Sequence, residues 1–398
     1  MTTSVRQRRR IRRWMRIRAH LFSFMMGLSL SVALTFCGGA GGGAQETSLL
    51  EDRVAALEKL LAAFSIDEAG DLHIDGSLMA GTNVFIDGLN VHIRSGSGYT
   101  DDTLGPTGEL TGLGNLIIGY DEATVAEPGD PTEDFKTGSH NLVIGSEHTY
   151  SSYAGLVAGY DNRITGDFAT VTGGFQNTAS GNSAAVSGGN NNTASGTGSS
   201  VSGGLGNAAT SNNASVSGGK SNWAAGSSAA VAGGLSNTAN GPYATVLGGD
   251  SNVAGDPLSA GATTTGAAAV VAAGRFNVAS GDYASVLGGG GTSDTDGNTA
   301  SGDYAAVSGG RKNTASAEGT AVSGGWTNTA STLYASVSGG SGNNASGMSA
   351  SVSGGSTNTA AGQGTSVVGG IGCTTVNSTD DFRLTWGGRS GTTCGTGN

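Results

Sequence analysis

The hydrophobic positions take four rhythms in turn along the chain. A predominantly apolar run of 16 residues extends from Leu21 to Phe36, too short for a membrane-spanning helix but the right length for the core of a signal peptide. From Thr47 to Phe64 the apolar residues fall at Leu50, Val54, Leu57, Leu61 and Phe64. Those alternating steps of four and three are the seam of a heptad helix, with Glu51, Asp52, Arg53, Glu58 and Lys59 on the outer face. Between Asp71 and Arg94 the rhythm becomes strand-like, at Leu72 and Ile74, Val84 and Ile86, then Leu89, Val91 and Ile93. Beyond that the hydrophobic content thins to about one valine in every 15 residues.

That last rhythm is a repeat. A Gly-Gly pair begins at Gly173, Gly188, Gly203, Gly218, Gly233 and Gly248. After a ten-residue insertion the register resumes at Ala273-Gly274 and Gly288, and after a six-residue insertion at Gly309, Gly324, Gly339, Gly354 and Gly369. A valine lies two residues before each pair, as at Val171, Val186 and Val367, and an asparagine four residues after its first member, from Asn177 to Asn358. Leu156, Ala158-Gly159 and Asn162 form an approximate earlier copy, and the segments Gly114–Gly119 and His140–Gly145 read as degenerate first turns. Each copy predicts one coil of a solenoid. A short strand such as Ala184–Ser187 turns Ala184 and Val186 inward. The Gly-Gly pair supplies a corner with positive φ, and a second strand such as Asn192–Ser195 follows. Stacking coils about 4.8 Å apart sets asparagine on asparagine in a hydrogen-bonded ladder. One valine and two alanines per coil make a thin core, so pooling faces between chains, as the heptad segment also suggests, predicts a homo-oligomer.

Composition narrows the class. Glycine accounts for 73 of 398 residues with only 5 prolines, and charged residues are 12%. Collagen would need glycine at every third position and far more proline, and a flexible linker would not keep a 15-residue period. An ordinary two-domain enzyme would carry more leucine and more charge. The first 36 residues concentrate eight arginines, from Arg6 to Arg18, with no acid before Glu46, which is a targeting leader. Without it, 11 basic residues face 30 acidic ones, a net charge near −19 that excludes a nucleic-acid partner bound through phosphates. Two cleavage sites compete. Leu34-Thr35-Phe36-Cys37, followed by Gly38 to Gly43, resembles a bacterial lipoprotein box with Cys37 as the lipidated residue, although Phe36 stands where a small residue belongs. Gly42 and Ala44 before Gln45 would instead suit an ordinary signal peptidase. Cys373 and Cys394 could pair in an oxidising compartment, leaving Cys37 as the odd one.

The lines of the type Ala-Ser-Val-Ser-Gly-Gly-x-x-Asn-Thr-Ala-Ser-Gly, for example from Ala214 and from Ala335, resemble the head repeats of trimeric autotransporter adhesins, the YadA-like heads. The resemblance covers about 140–370. It implies a left-handed parallel β-roll, three of which associate side by side as a homotrimer. The family ends in a C-terminal membrane barrel. Thr374–Asn398 is short, polar and lacks alternating apolar strands, so the sequence predicts anchoring, if any, through an N-terminal lipid at Cys37 or an uncleaved leader.

A search for chemistry predicts no catalytic residues, metal site or cofactor. His20, His73, His92, His140 and His148 all lie outside the regular repeats, without metal-ligand spacing. Asp294 and Asp296 occupy the six-residue insertion and read as a solvated loop. One aromatic row stands out. Phe168, Tyr243, Tyr283, Tyr304 and Tyr334 each lie five residues before a Gly-Gly pair, and Tyr153 matches in the approximate copy. Such a row would line one edge of the rod and either bind a glycan or protein ligand or cover a seam between chains. Lys220, Trp223, Arg275, Arg311 and Trp326 vary from coil to coil near the corners.

The sequence therefore predicts an all-β, left-handed parallel β-roll or β-solenoid of 15-residue coils, trimeric and preceded by a short coiled-coil helix. Its expected divisions are a leader (1–36), a Gly-rich tether (37–46), the coiled coil (47–65), a β-rich adaptor (66–150), head repeats (151–371) and a C-terminal cap or tail (372–398). The expected function is that of an exported, non-enzymatic, adhesin-like surface protein with a glycan, matrix or cell-surface ligand. A structural envelope protein and an ice-binding solenoid are the alternatives. The latter would use the threonine row of Thr178, Thr193, Thr238, Thr299, Thr314, Thr329 and Thr359, which is broken at Ala208, Trp223, Val253 and Val278.

Overall fold

The computed structural model describes residues 50–55, 58, 64–66, 72–74, 90–104, 108–122, 135–256, 265–375, 384–386 and 395–397. The chain divides into two compact units, Met1–Asn90 and Val91–Asn398. In the first, residues 50–55 and 58 are helical. β1 (Phe64–Ile66) then pairs antiparallel with β2 (Leu72–Ile74), with Ser65 opposite His73. The heptad seam drawn through Phe64 thus overshoots. Phe64 and Ile66 flank a serine in the two-residue alternation of a strand, and the pairing with Leu72 and Ile74 takes precedence over one more helical turn.

The second unit is a parallel β-solenoid. One sheet begins with β3 (Leu116–Ile118) and β4 (Leu142–Ser146), paired with Leu116 opposite Leu142. It continues through β6 (Leu156–Tyr160) and then through one two-residue strand per coil. The other sheet stacks fifteen strands, from β5 (Thr149–Tyr150) and β7 (Arg163–Ile164) to Thr374–Thr375. In both sheets the register keeps like on like, as with Val186 opposite Val201 and Ala194 opposite Ala209. A third line of single-residue bridges, from Tyr160 through Phe175 and Asn190 onward, runs between the two. The two insertions leave the register intact: Val246 pairs with Val271 across the first, and Ala279 with Ala300 across the second. At the C-terminal end Leu384–Trp386 adds in parallel beside Ser366–Val367, and Gly395–Gly397 closes antiparallel on it.

A coil is described by counting its residues from Ala184 (position 1) to Gly198 (position 15). The buried positions are 1, 3, 9, 11 and 13, here Ala184, Val186, Asn192, Ala194 and Gly196. The ladder predicted at position 9 forms as a continuous polar spine. Asn192 N–H donates to Asn177 Oδ1 at 3.0 Å, its Nδ2 donates to the carbonyls of Gly188 and Gly204 at 3.0 Å each, and its Oδ1 accepts from Asn207 N–H at 2.9 Å. Thirteen buried asparagines repeat this, from Asn162 to Asn358. Each thereby satisfies backbone groups that the thin coil would otherwise bury without partners.

The ends of the spine are not asparagine. At its start His148 substitutes for the amide: Nδ1 accepts from Asn162 N–H at 3.1 Å, and Nε2 lies 3.0 Å from Ile144 O. The second contact fixes Nε2 as the protonated nitrogen. At its far end Cys373 N–H donates to Asn358 Oδ1 at 2.9 Å. Within the Gly-Gly pairs the second member carries the turn. Gly189 has φ +87°, and a Cβ there would lie 2.3 Å from Gly204 O in the next coil, so a side chain is excluded by conformation and by space.

The first coils are built differently. Outward positions that hold Thr170, Ala185 and Ser200 in the regular coils hold Leu116, Leu142 and Leu156 at this end, with Ile118 and Ile144 beside them. All three residues of β3 are exposed. Val91 and Ile93, predicted as strand, are exposed and belong to no strand.

Candidate functional site

Two places gather side chains beyond what the coils need. The first lies against the opening coils. A cavity of about 450 Å³ has walls that include His92, Arg94, Ser95, Tyr99 and His140. Beneath it sits Asp102, fully buried, in the turn Asp102–Leu104. Its Oδ1 accepts from Ser95 Oγ at 2.6 Å and from Ser97 Oγ, and its Oδ2 accepts from Thr111 Oγ1 and, at 3.0 Å, from Thr111 N–H. Burial alone would raise this carboxyl, but the hydrogen bonds from Ser95, Ser97, Thr111 and Ser139 outweigh it and hold the group far below the usual carboxylate range. His140 presents Nδ1 to Asp102 Oδ1 at 3.9 Å while Nε2 accepts from Ser95 N–H at 3.2 Å. Asp102 therefore has its accepting capacity filled by the residues that it fastens, and this cluster is a clasp holding Ser95, Ser97 and Thr111 to the first coil.

The second place is the edge at position 15. The aromatic row predicted from the sequence forms there: Phe168, Tyr243, Tyr283, Tyr304 and Tyr334 are all exposed, Tyr243 to 67%. Backbone hydrogen bonds fix the row at one corner, as from Tyr304 N–H to Asp282 O at 2.7 Å and from Tyr334 N–H to Glu318 O at 3.1 Å. The rings of Tyr283 and Tyr304 stack with centroids 5.1 Å apart and planes 5° from parallel, and Tyr153 meets Phe168 edge to face at 5.1 Å.

The conformation at this corner was not foreseen. In thirteen successive coils position 15 is left-handed, with φ between +53° and +67°. Position 8 behaves in the same way, as at Gln176, Asn191 and Ser221. A left-handed residue other than glycine costs about 1–2 kcal/mol, and bulky side chains rarely accept it. Gly198, Gly319 and Gly364 occupy the corner without that cost. The recurrence of glycine, asparagine and serine in both columns was the signal available in the sequence. The aromatics hid it.

The opposite corner, at positions 7 and 8, carries both signs of charge. Arg275 pairs with Asp250 at 2.8 Å and lies 4.7 Å from the centre of the Phe276 ring. Arg311 pairs with Asp296 at 2.7 Å. The insertion that reads as a solvated loop thus buries Asp296 beneath an arginine, whose hydrogen bond lowers the carboxyl's pKa. The threonine row occupies position 10 of the second sheet, with Thr193 registered on Thr178, and is interrupted by Ala208, Trp223, Val253, Val278 and Asn344.

Cys373 is fully buried and disulfide-bonded. Cys37, Cys394, the leader and the Gly-rich tether lie outside the described residues. Among the described residues no group of three histidine, cysteine, aspartate or glutamate side chains is placed to hold a metal ion, and no helix is long and apolar enough to cross a membrane. Compared with family models and with curated proteins, the chain matches none.

Proposed function

We propose that this chain is an exported, non-enzymatic, adhesin-like surface protein that presents its solenoid as a rigid, multivalent rod. The observation that carries the reading is the row of exposed aromatic side chains held in register along one corner of a periodic scaffold. Repetition at a fixed spacing turns weak individual contacts into avidity. The assembly we propose is a homotrimer of left-handed β-rolls led by a coiled coil, as in the YadA-like heads. Leu50 and Val54, both on the predicted seam, are exposed in the single chain, and the outward Leu/Ile surface of the first coils offers further apolar area for partner chains. The proposed anchor is a lipid on Cys37, which would tether the rod by its N-terminal end. The proposed partner of Cys373 is Cys394. Acidic charge argues against nucleic acid as a partner.

Sedimentation of the purified protein, followed by a glycan and matrix-protein array, tests the reading. A trimer that retains discrete ligands is expected. A monomer, or a trimer that binds nothing on the array, would favour a purely structural envelope protein. Cys37→Ser is expected to release the protein from membranes, and unchanged membrane association would rule out the lipid anchor.

A further inference from the structure

The two corners of the solenoid differ in charge as well as in rings. Between residues 164 and 375 the basic residues are Lys220, Arg275, Arg311 and Lys312, all at positions 7 and 8. The position 15 corner has none. Of its acidic residues, Asp167 lies beside Phe168 and three lie with the tyrosines, in the pairs Asp282-Tyr283 and Asp303-Tyr304, with Glu318 and Tyr334 in the next two coils. Asp303 and Glu318 are exposed and Asp282 is half-buried. One oxygen of each aspartate has a structural task, since Asp282 Oδ1 accepts from Ala267 N–H at 2.9 Å and Asp303 Oδ1 from Asp282 N–H at 3.0 Å. The second oxygen of each remains available. Among the described residues none of the three acids has an ion-pair partner.

The tyrosines are kept where the backbone disfavours them, in a column that other coils fill with serine, glycine, asparagine or alanine. Strain retained at exposed side chains points to a use outside the chain. Gly319, between Tyr304 and Tyr334, lets the Tyr334 ring lie over it: a Cβ there would fall 2.6 Å from Tyr334 Cδ1. The result is a short surface on which a column of aromatic rings at position 15 runs beside a column of carboxylates at position 14.

We propose that this corner, from Asp282 to Tyr334, binds a cationic amino-sugar polymer, its apolar sugar faces meeting the tyrosine rings and its ammonium groups meeting Asp282, Asp303 and Glu318. Rings attract cations over their faces, and carboxylates at the same edge add charge complementarity. A lysine-rich peptide would bring the same charge on flexible stems that lose rotamer freedom on binding. A pyranose polymer carries its charge on a rigid ring with an apolar face and repeats it at regular intervals, as the coils do. This inference rests on the reading of the solenoid as a binding rod and names the ligand class for it.

The test is titration calorimetry of the purified protein with a glucosamine hexamer, its fully N-acetylated counterpart and hexalysine. Two double variants keep the fold. In Asp282→Asn/Asp303→Asn the amide can still cap the preceding coil, as Asn182 and Asn212 do for Asp167 and Thr197. In Tyr283→Ser/Tyr304→Ser the new residue is the one already present at Ser183 and Ser228. Wild type is expected to bind the glucosamine hexamer with an affinity that falls as salt rises. Each double variant should bind at least tenfold more weakly, with unchanged melting and sedimentation, and Lys220→Ser on the other corner should bind like wild type. The N-acetylated hexamer and hexalysine should each bind at least tenfold more weakly than the glucosamine hexamer. Absence of binding, or binding unaffected by either double variant, overturns the proposal. Equal binding of the neutral oligomer or of hexalysine overturns it as well, and so does dissociation of the oligomer by the serine variant, which would make the rings a seam. If the amino sugar fails while another ligand is retained on the array, the proposal falls and the adhesin reading stands.

Discussion

The opening coils and the regular coils solve one problem by different means. In the regular coils one asparagine per coil, always in the same place, meets the same backbone groups of its own coil and the next, and the side chains packed beside it are small. In the opening coils the buried residues are larger and unlike one another, among them Tyr150, Ile164 and His148, and the polar groups are met singly. Tyr150 donates its hydroxyl to Asp121 at 2.8 Å, and burial followed by that hydrogen bond raises its pKa. Asp102 gathers donors from three separate stretches of chain, at Ser95 and Ser97, at Thr111 and at Ser139. Periodicity lets one residue type serve a whole rod, because each coil presents its neighbour with the same geometry. A terminus has a neighbour on one side only and needs a purpose-built arrangement.

Substitutions at five sites test that contrast, beginning with the largest effect. Asn237→Ala removes the acceptor for Asn252 N–H and the donors to Gly233 and Gly249 carbonyls. The loss should be about 3 kcal/mol in denaturant unfolding, since several backbone groups lose partners at a dry site. The same change at Asn115, which is half-buried in the first coil and accepts from Asn141 N–H at 2.8 Å, should cost about 1 kcal/mol. Equal losses at the two sites would erase the distinction.

Asp102→Ala should cost about 2 kcal/mol, confined to the opening coils. Hydrogen exchange is expected to speed up around Thr111 and Ser139 and to stay unchanged beyond Asn177. The native carboxyl is held below its unfolded value near 3.9, so its contribution is complete above that pH and fades as the pH falls through and below it. The opening coils should therefore loosen in acid before the regular ones, and Asp102→Asn should remove that pH dependence. A uniform acid response along the rod would contradict the assignment.

His148→Asn should preserve the ladder at a cost under about 1 kcal/mol, whereas His148→Leu, which leaves Asn162 N–H without an acceptor, should cost about 2 kcal/mol. Thermal melting of the pair checks it, and equal losses would show that the imidazole is not standing in for an amide. The smallest effect is expected from Tyr304→Gly. Relief of backbone strain, about 1 kcal/mol, nearly offsets the lost stacking on Tyr283, of similar size, so the melting temperature should hardly move.

The sequence made the rod legible because period, valine, asparagine and Gly-Gly each report a buried or sterically constrained column. Val186, Asn192 and Ala194 are buried as their spacing implies, and the strand pairs keep the predicted register across both insertions. The bookends of the ladder escaped notice because histidine and cysteine do its work through other atoms. Asp102 was invisible for a different reason: its partners at 95, 97, 111 and 139 follow no period. The left-handed corners were obscured because many residue types fill them, tyrosine included. Phe64 was assigned one turn too far along the heptad because a short apolar spacing suits a helix and a strand alike.

The central claim is that the position 15 corner is a working surface and not a packing seam. It is tested most directly by surface attachment of the variant Tyr243→Ser/Tyr283→Ser/Tyr304→Ser/Tyr334→Ser beside wild type, with sedimentation measured on the same samples. An unchanged oligomer and melting curve are expected, with attachment reduced at least tenfold. An oligomer that falls apart, or attachment equal to wild type, would contradict the claim.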